Sequence, residues 1–373
     1  MNKYLEFYEK YKISPVVQDI KDFTQHIKRR TNLYRQVGVT PLTFQDKDIL
    51  EIGPGGGYNS LVTYTYNPKT YTFIEPNSTG YNELKENFKD IDKGNIFFNN
   101  CLLEDFNTDK KYDVIMCEGL IPGLTNKEDF IAKLITLLKP NGIFIITTAD
   151  QVTMFFEIIR RYMANILIKD IQNIDEQVKV LVDAFSTHLN TLKGMTRNHE
   201  DWCLDNLIND ATYEHTFSMN DAIELVKNEF HVLGTSPNFF NNYIWYKELP
   251  NDINEYNNLY QEQFLQRWHN LIDYRYIVED RASSKNTELA KHCLELIDLV
   301  KDSTNEKSII FCLENIKDNL LSDANEKTIL SINEVIDTLK SGLTQEKVIK
   351  MIHFASAFGR GQSYISFVKE KED

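Results

Sequence analysis

Basic charge is in short supply. The 373-residue chain carries 41 lysines and arginines against 55 aspartates and glutamates, a formal net charge of −14. That excess of acid works against the basic footprint of a nucleic-acid binder. Long apolar runs are missing as well. Stretches such as Gly142-Ile-Phe-Ile-Ile146 are strand-sized, well short of the roughly 20 residues a membrane-spanning helix needs. Five cysteines (Cys101, Cys117, Cys203, Cys293 and Cys312) are odd in number, far apart and form no CxxC. Neither a disulfide framework nor a zinc knuckle is indicated, and a reducing cytoplasm is expected. The start, Met1-Asn-Lys-Tyr-Leu-Glu6, lacks the apolar core of a signal peptide. Proline is rare, nine in all and none after Pro250. Core-forming residues are not scarce: 42% of the chain is hydrophobic and 12% aromatic, which excludes global disorder and suits two or three domains.

Residues 1–45 read as a helical preface, polar and aromatic at helical spacing. From there to about residue 150, short apolar runs alternate with amphipathic ones. The strand candidates are Ile49–Ile52, Tyr71–Ile74, Asn95–Phe98, Val114–Cys117 and Ile143–Thr147. Strand and helix in alternation predict a parallel sheet covered on both faces, because parallel neighbours need crossover connections. The next candidate, His231–Thr235, comes late, so residues 151–217 are expected to be an inserted, mostly helical segment. Ser218 caps the helix that follows, and Asn242-Tyr-Ile-Trp-Tyr246 is the expected last strand. Residues 251–373 show apolar positions three and four apart and are expected to form a C-terminal helical domain. Its end is unusual: Phe358-Gly-Arg-Gly-Gln-Ser-Tyr-Ile-Ser-Phe367 sets two glycines around an arginine and then alternates like a strand. Two readings stay open there, a fold-back with Arg360 donating to substrate and a turn leading to a closing strand.

The strongest chemical signal is Asp48-Ile-Leu-Glu-Ile-Gly-Pro-Gly-Gly-Gly-Tyr58, a hydrophobic strand that runs into Gly53, Gly55 and Gly57. Glycines at a strand end permit positive φ and close backbone approach to a ligand. The second strand ends in Phe73-Ile-Glu75-Pro76, which places a carboxylate near that loop, able to accept both hydroxyl hydrogens of a ribose. A dinucleotide fingerprint would need glycine where Tyr58 stands. The pattern E-x-G-x-G-x-G followed by an acid at the end of strand two resembles the class I S-adenosylmethionine-dependent methyltransferases, over roughly residues 46–150 and 218–250.

That resemblance implies an α/β fold, a seven-stranded Rossmann-like sheet ending in an antiparallel hairpin, here with a helical insertion and a C-terminal all-helical domain. It implies S-adenosyl-L-methionine as cofactor. Glu51, Gly53, Pro54, Gly55 and Gly57 would face its methionine moiety, and Glu75 with Pro76 its ribose. Leu102, Leu103 and Glu104 would lie by the adenine, although Cys101 stands where many members carry an acid. Glu118 and Gly119 would line the methionine end, with Arg29, Arg30, Tyr34 and Arg35 of the preface near its carboxylate. Gly119-Leu-Ile-Pro-Gly123 is not the Asp/Asn-Pro-Pro-Tyr/Phe tetrapeptide of amino-directed DNA methyltransferases, a further argument against a nucleic-acid acceptor.

The acceptor is sought in the insertion, since insertions commonly roof acceptor pockets. His188 and His199 are the candidate bases, their ordinary pKa being near neutrality. Arg197 and Arg360 are candidates for holding an anionic group, and Asp201, Trp202 and Asp205 complete the expected acceptor-binding set. His199-Glu-Asp201 has the H-x-D spacing of an iron site but no persuasive third histidine, so no metal is expected. Methyl transfer from a sulfonium needs none. The favoured function is transfer to oxygen or nitrogen of a small polar or anionic acceptor, such as a sugar or surface-polysaccharide precursor. The alternatives are a protein side chain docked by residues 251–373 and a non-catalytic scaffold. A homo-oligomer stays open.

Overall fold

A computed structural model describes residues 3–13, 19–214, 216–250, 252–302 and 305–370. Its seven strands are β1 (Asp48–Ile52), β2 (Thr70–Ile74), β3 (Ile96–Asn99), β4 (Tyr112–Cys117), β5 (Leu138–Thr148), β6 (Phe230–Ser236) and β7 (Ser363–Lys369). They form one sheet in the order β3-β2-β1-β4-β5-β7-β6. β1 pairs parallel with β2 and β4, β2 with β3, and β4 with β5. Only β7 runs antiparallel, between β5 and β6. Alternation along β1 explains how the sheet is covered. Leu50 and Ile52 belong to one apolar cluster with Ile115, Cys117 and Ile146, whereas Ile49 belongs to the other with Tyr34, Tyr71 and Phe73. Glu51 therefore points to the face that carries Tyr34.

The closing strand is a correction. Asn242–Tyr246 is not a strand; Tyr243 is 91% exposed and Tyr246 begins a short 3-10 turn. The strand role falls to Ser363–Lys369, whose Ile365 and Phe367 are fully buried. Tyrosine and isoleucine give both segments β-propensity, but only the second carries the alternation that fills a gap with a neighbour on each side.

The chain divides into two compact units, and the division differs from the expected 151–217 and 251–373. One unit comprises residues 1–148, 217–263 and 362–373; the other comprises 149–216 and 264–361. Asn257 shows why the sheet unit extends past residue 250. It is fully buried, accepts from Val232 N–H (3.1 Å) and donates to the Phe230 carbonyl (2.6 Å), thereby finishing the exposed edge of β6.

The second unit joins the insertion to the C-terminal helices. Insertion helices Phe155–Ile168 and Ile174–Leu189 belong with Ser283–Lys301, Glu306–Leu320 and Glu326–Lys340. Arg160 explains the union: it is fully buried, stacks on the rings of Phe354 and Phe358 (4.4 and 3.7 Å) and donates to the carbonyls of Phe354 (3.0 Å) and Ala355 (3.3 Å). Residues 251–373 are thus helical in bulk but not all-helical, because β7 belongs to the sheet. No helix among the described residues is long and apolar enough to cross a membrane.

Candidate active site

The glycine loop leaves β1 with φ of 68° at Gly53, 56° at Gly55 and 76° at Gly57. Any side chain is strained there, and a Cβ on Gly57 would stand 2.3 Å from Leu84 Cδ1. Gly55 N–H donates to one oxygen of Glu75 (2.7 Å) and Asn77 N–H to the other (2.8 Å). Glu75 is only 3% exposed. Burial pushes its carboxyl up to about 7, against the two N–H groups and helped by the nearby Glu9. Each oxygen keeps lone-pair capacity for a further donor, which suits a pair of ribose hydroxyls.

At the opposite side of β1 lies a charge cluster. Arg30, on helix Phe23–Gln36, donates through one nitrogen to both oxygens of Glu118 (2.6 and 2.8 Å) and to Tyr34 Oη (2.7 Å). Its guanidinium stacks on Tyr34 (4.7 Å) and lies 5.8 Å from the Tyr364 ring. Glu51 accepts a short hydrogen bond from the Tyr71 hydroxyl. Burial first, and the charge of Glu118 second, push Glu51 up to about 7. Two acids thus share one arginine. Ionised, the cluster has one negative charge too many, and Arg30 Nε is buried with no hydrogen-bond partner among the described residues. Such a cluster is built to receive one cation and one further acceptor, as an amino-acid group supplies.

The other expected cofactor residues are distributed unevenly. Gly53 and Pro54 are half-buried and Pro76 is half-buried beside Glu75. Gly119 has φ 81° and donates to Thr147 Oγ1 (2.6 Å). Leu102 is 36% exposed, but Leu103 points into the apolar core, a correction that follows from the 3-10 turn Leu103–Asp105. Glu104 is exposed at the same turn. Tyr364 and Gln362 were not among the expected site residues, although their segment takes the open reading of a turn into a closing strand; a Cβ on Gly119 would lie 3.4 Å from the Gln362 amide.

Most of the acceptor candidates already have partners within the protein. His188 is fully buried, its Nε2 is 2.9 Å from the Val348 carbonyl, and burial drives its pKa down to about 3. It is a core histidine, not an accessible base. Arg197 donates to Asp205 (2.8 Å), with both side chains largely covered. That pairing removes the reason for reading Arg197 as an anion holder and Asp205 as an acceptor contact. Asp201 pairs with the cap residue Asn198, whose side chain accepts from Asp201 N–H (2.7 Å) and donates to its carboxylate (2.8 Å). Trp202 lies edge-on to Phe358, with centroids 6.4 Å apart, and the Arg360 N–H donates to the Leu271 carbonyl (2.9 Å).

His199 differs. Its Nδ1 is 2.9 Å from Ser186 Oγ, and that hydroxyl already donates to the Val182 carbonyl (2.6 Å). Nδ1 is therefore the protonated nitrogen, and Nε2 carries the lone pair. His199 keeps the half-buried setting of a base.

Residues 26–193 match the family model described as a methyltransferase domain. The chain carries an S-adenosylmethionine-dependent methyltransferase domain. Ubiquinone biosynthesis O-methyltransferase of Rickettsia typhi is 28% identical over 184 residues, 44% of this chain and 70% of that one. Its counterpart in Rickettsia prowazekii is 29% identical, over 44% and 68%. Among solved structures, PKMT2 from Rickettsia typhi in complex with AdoHcy matches at 19% identity, TM-score 0.41, over 64% of this chain and 49% of that one. This methyltransferase has residues that fit its cofactor: the glycine cradle and Glu75 for the nucleoside, and the acid-rich cluster with its orphaned Arg30 Nε for the amino-acid end. When bound, the cofactor supplies a methyl group already activated on sulfur. The protein's task is to align the acceptor and to handle its proton.

Proposed function

We propose that the chain transfers the methyl group of S-adenosylmethionine to a hydroxyl or amine of a small polar acceptor, with His199 taking the acceptor's proton. The observation that carries this reading is the hydrogen bond between His199 Nδ1 and Ser186 Oγ, which assigns the ring proton to Nδ1 and leaves the Nε2 lone pair to accept a proton. The names of the two Rickettsia relatives favour oxygen over nitrogen. Residues 149–216, which hold His199, are proposed to choose the acceptor. The free thiol state of all five cysteines supports a cytoplasmic setting.

The test is transfer of labelled methyl into a cell extract that is then separated by size. Label is expected in the small-molecule fraction. His199→Ala should lower that transfer about 100-fold, a typical contribution of a general base, while S-adenosylhomocysteine affinity stays unchanged. Label in the protein fraction instead would select a side-chain acceptor. Equal transfer by the variant would remove His199 from the reaction.

A further inference from the structure

The amino-terminal helix, Lys3–Tyr11, has aromatic residues at helical spacing, Tyr4, Phe7, Tyr8 and Tyr11, yet only Tyr8 is buried. Its two halves are held at different strands. Glu9 accepts from Ser78 N–H (2.7 Å) and from the Asn77 side-chain amide (3.1 Å), just after β2. Tyr4 lies against Gly123, in the turn Ile121–Gly123 after β4: a Cβ on Gly123 would stand 2.2 Å from the Tyr4 ring. β2 and β4 are the two neighbours of β1. The helix therefore crosses in front of the end of β1, where the glycine loop begins. Lengths agree: the helical rise from Tyr4 to Glu9 is about 7.5 Å, and two strand spacings come to about 9.6 Å.

We propose that helix Lys3–Tyr11 is a strap across the cofactor cleft, latched by Glu9 on the β2 side and seated by Tyr4 on the β4 side, and that it lifts to let cofactor in and product out. This goes beyond the acceptor chemistry and concerns cofactor exchange. A nine-residue helix is marginal on its own and depends on its contacts. With one buried residue, opening is a low-energy local event. The latch is a carboxylate on the first amide of helix Ser78–Phe88, where the helix dipole favours negative charge. Glu9 also repels Glu75. Ribose hydroxyls donating to Glu75 disperse that charge, so bound cofactor holds the strap more firmly.

Amide hydrogen exchange and the dissociation rate of S-adenosylhomocysteine test this in the full chain. Bound S-adenosylhomocysteine should slow exchange in residues 3–11. Glu9→Ala removes the latch, and Gly123→Ala, at a glycine outside the left-handed region, wedges Tyr4 away. Each should speed dissociation about tenfold, the scale of one charge-assisted hydrogen bond, and erase the ligand-dependent protection with the melting temperature held. Glu9→Gln, which keeps one acceptor oxygen, should fall between. Dissociation unchanged in both alanine variants, or exchange in residues 3–11 indifferent to S-adenosylhomocysteine, would overturn the strap.

Discussion

Two groups of charged residues, one in each compact unit, have similar compositions and opposite states. In the sheet unit, Arg30 donates to Glu118 while the buried Glu51 feels the charges of both, so two acids face one arginine. In the other unit, Arg197 is matched by Asp205, Asp201 by Asn198, and His188 by a backbone carbonyl. The first group sets two acids against one arginine, whereas in the second the charge of Arg197 is met by Asp205. A cluster of functional residue types becomes a site through the charge it leaves unmet.

Breaking the first group should have the largest effect. Arg30→Ala leaves two buried acids uncompensated, so it should weaken S-adenosylhomocysteine binding about 100-fold and lower stability by about 3 kcal/mol, read by calorimetry and urea unfolding. Glu75→Ala removes both ribose acceptors and should cost binding about 30-fold, with unaltered affinity indicating that the nucleoside lies elsewhere. The second group should respond in stability alone. Arg197→Ala is expected to destabilise by about 1–2 kcal/mol through the bared Asp205, with cofactor affinity unchanged. A tenfold loss of affinity would erase the contrast between the groups.

Asp48 supplies a smaller test away from both. Burial acts to raise its pKa, but Thr70, Lys139 and Lys110 outweigh that and hold it at about 2. A lowered carboxyl contributes stability above its unfolded pKa and loses it as pH falls toward 2. Asp48→Asn should therefore cost about 1 kcal/mol at pH 7 and make acid unfolding less steep below pH 4. Glu51 and Glu75 have the opposite sign: their raised values make the ligand-free protein less stable as pH climbs from about 4.5 through 7.

The glycine loop and Glu75 were legible because their chemistry is local: a strand, three glycines and an acid at the end of the next strand. The cluster around Arg30 was half legible, since Arg30 and Tyr34 are one helical turn apart but Tyr364 arrives on a strand far away in sequence. Propensity could not separate Asn242–Tyr246 from Ser363–Lys369, because what differs is burial by distant neighbours. Position was the better guide to His188. Leu181, Ala184, Phe185 and His188 fall at i, i+3, i+4 and i+7 of helix Ile174–Leu189, and all four are buried. Glu9 left no local signal, since its partners Asn77 and Ser78 lie across the fold.

The claim that the sheet unit holds an unmet negative charge for the amino-acid end of the cofactor rests most directly on Glu51, which burial and Glu118 push up to about 7. Calorimetry with S-adenosylhomocysteine at pH 6 and pH 8, on the unaltered chain and Glu51→Gln, measures it. The two proteins should bind alike at pH 6, where Glu51 is mostly protonated, and diverge about tenfold by pH 8 in favour of the unaltered chain. The same pH dependence in both would show that the charge on Glu51 is not what receives the cofactor.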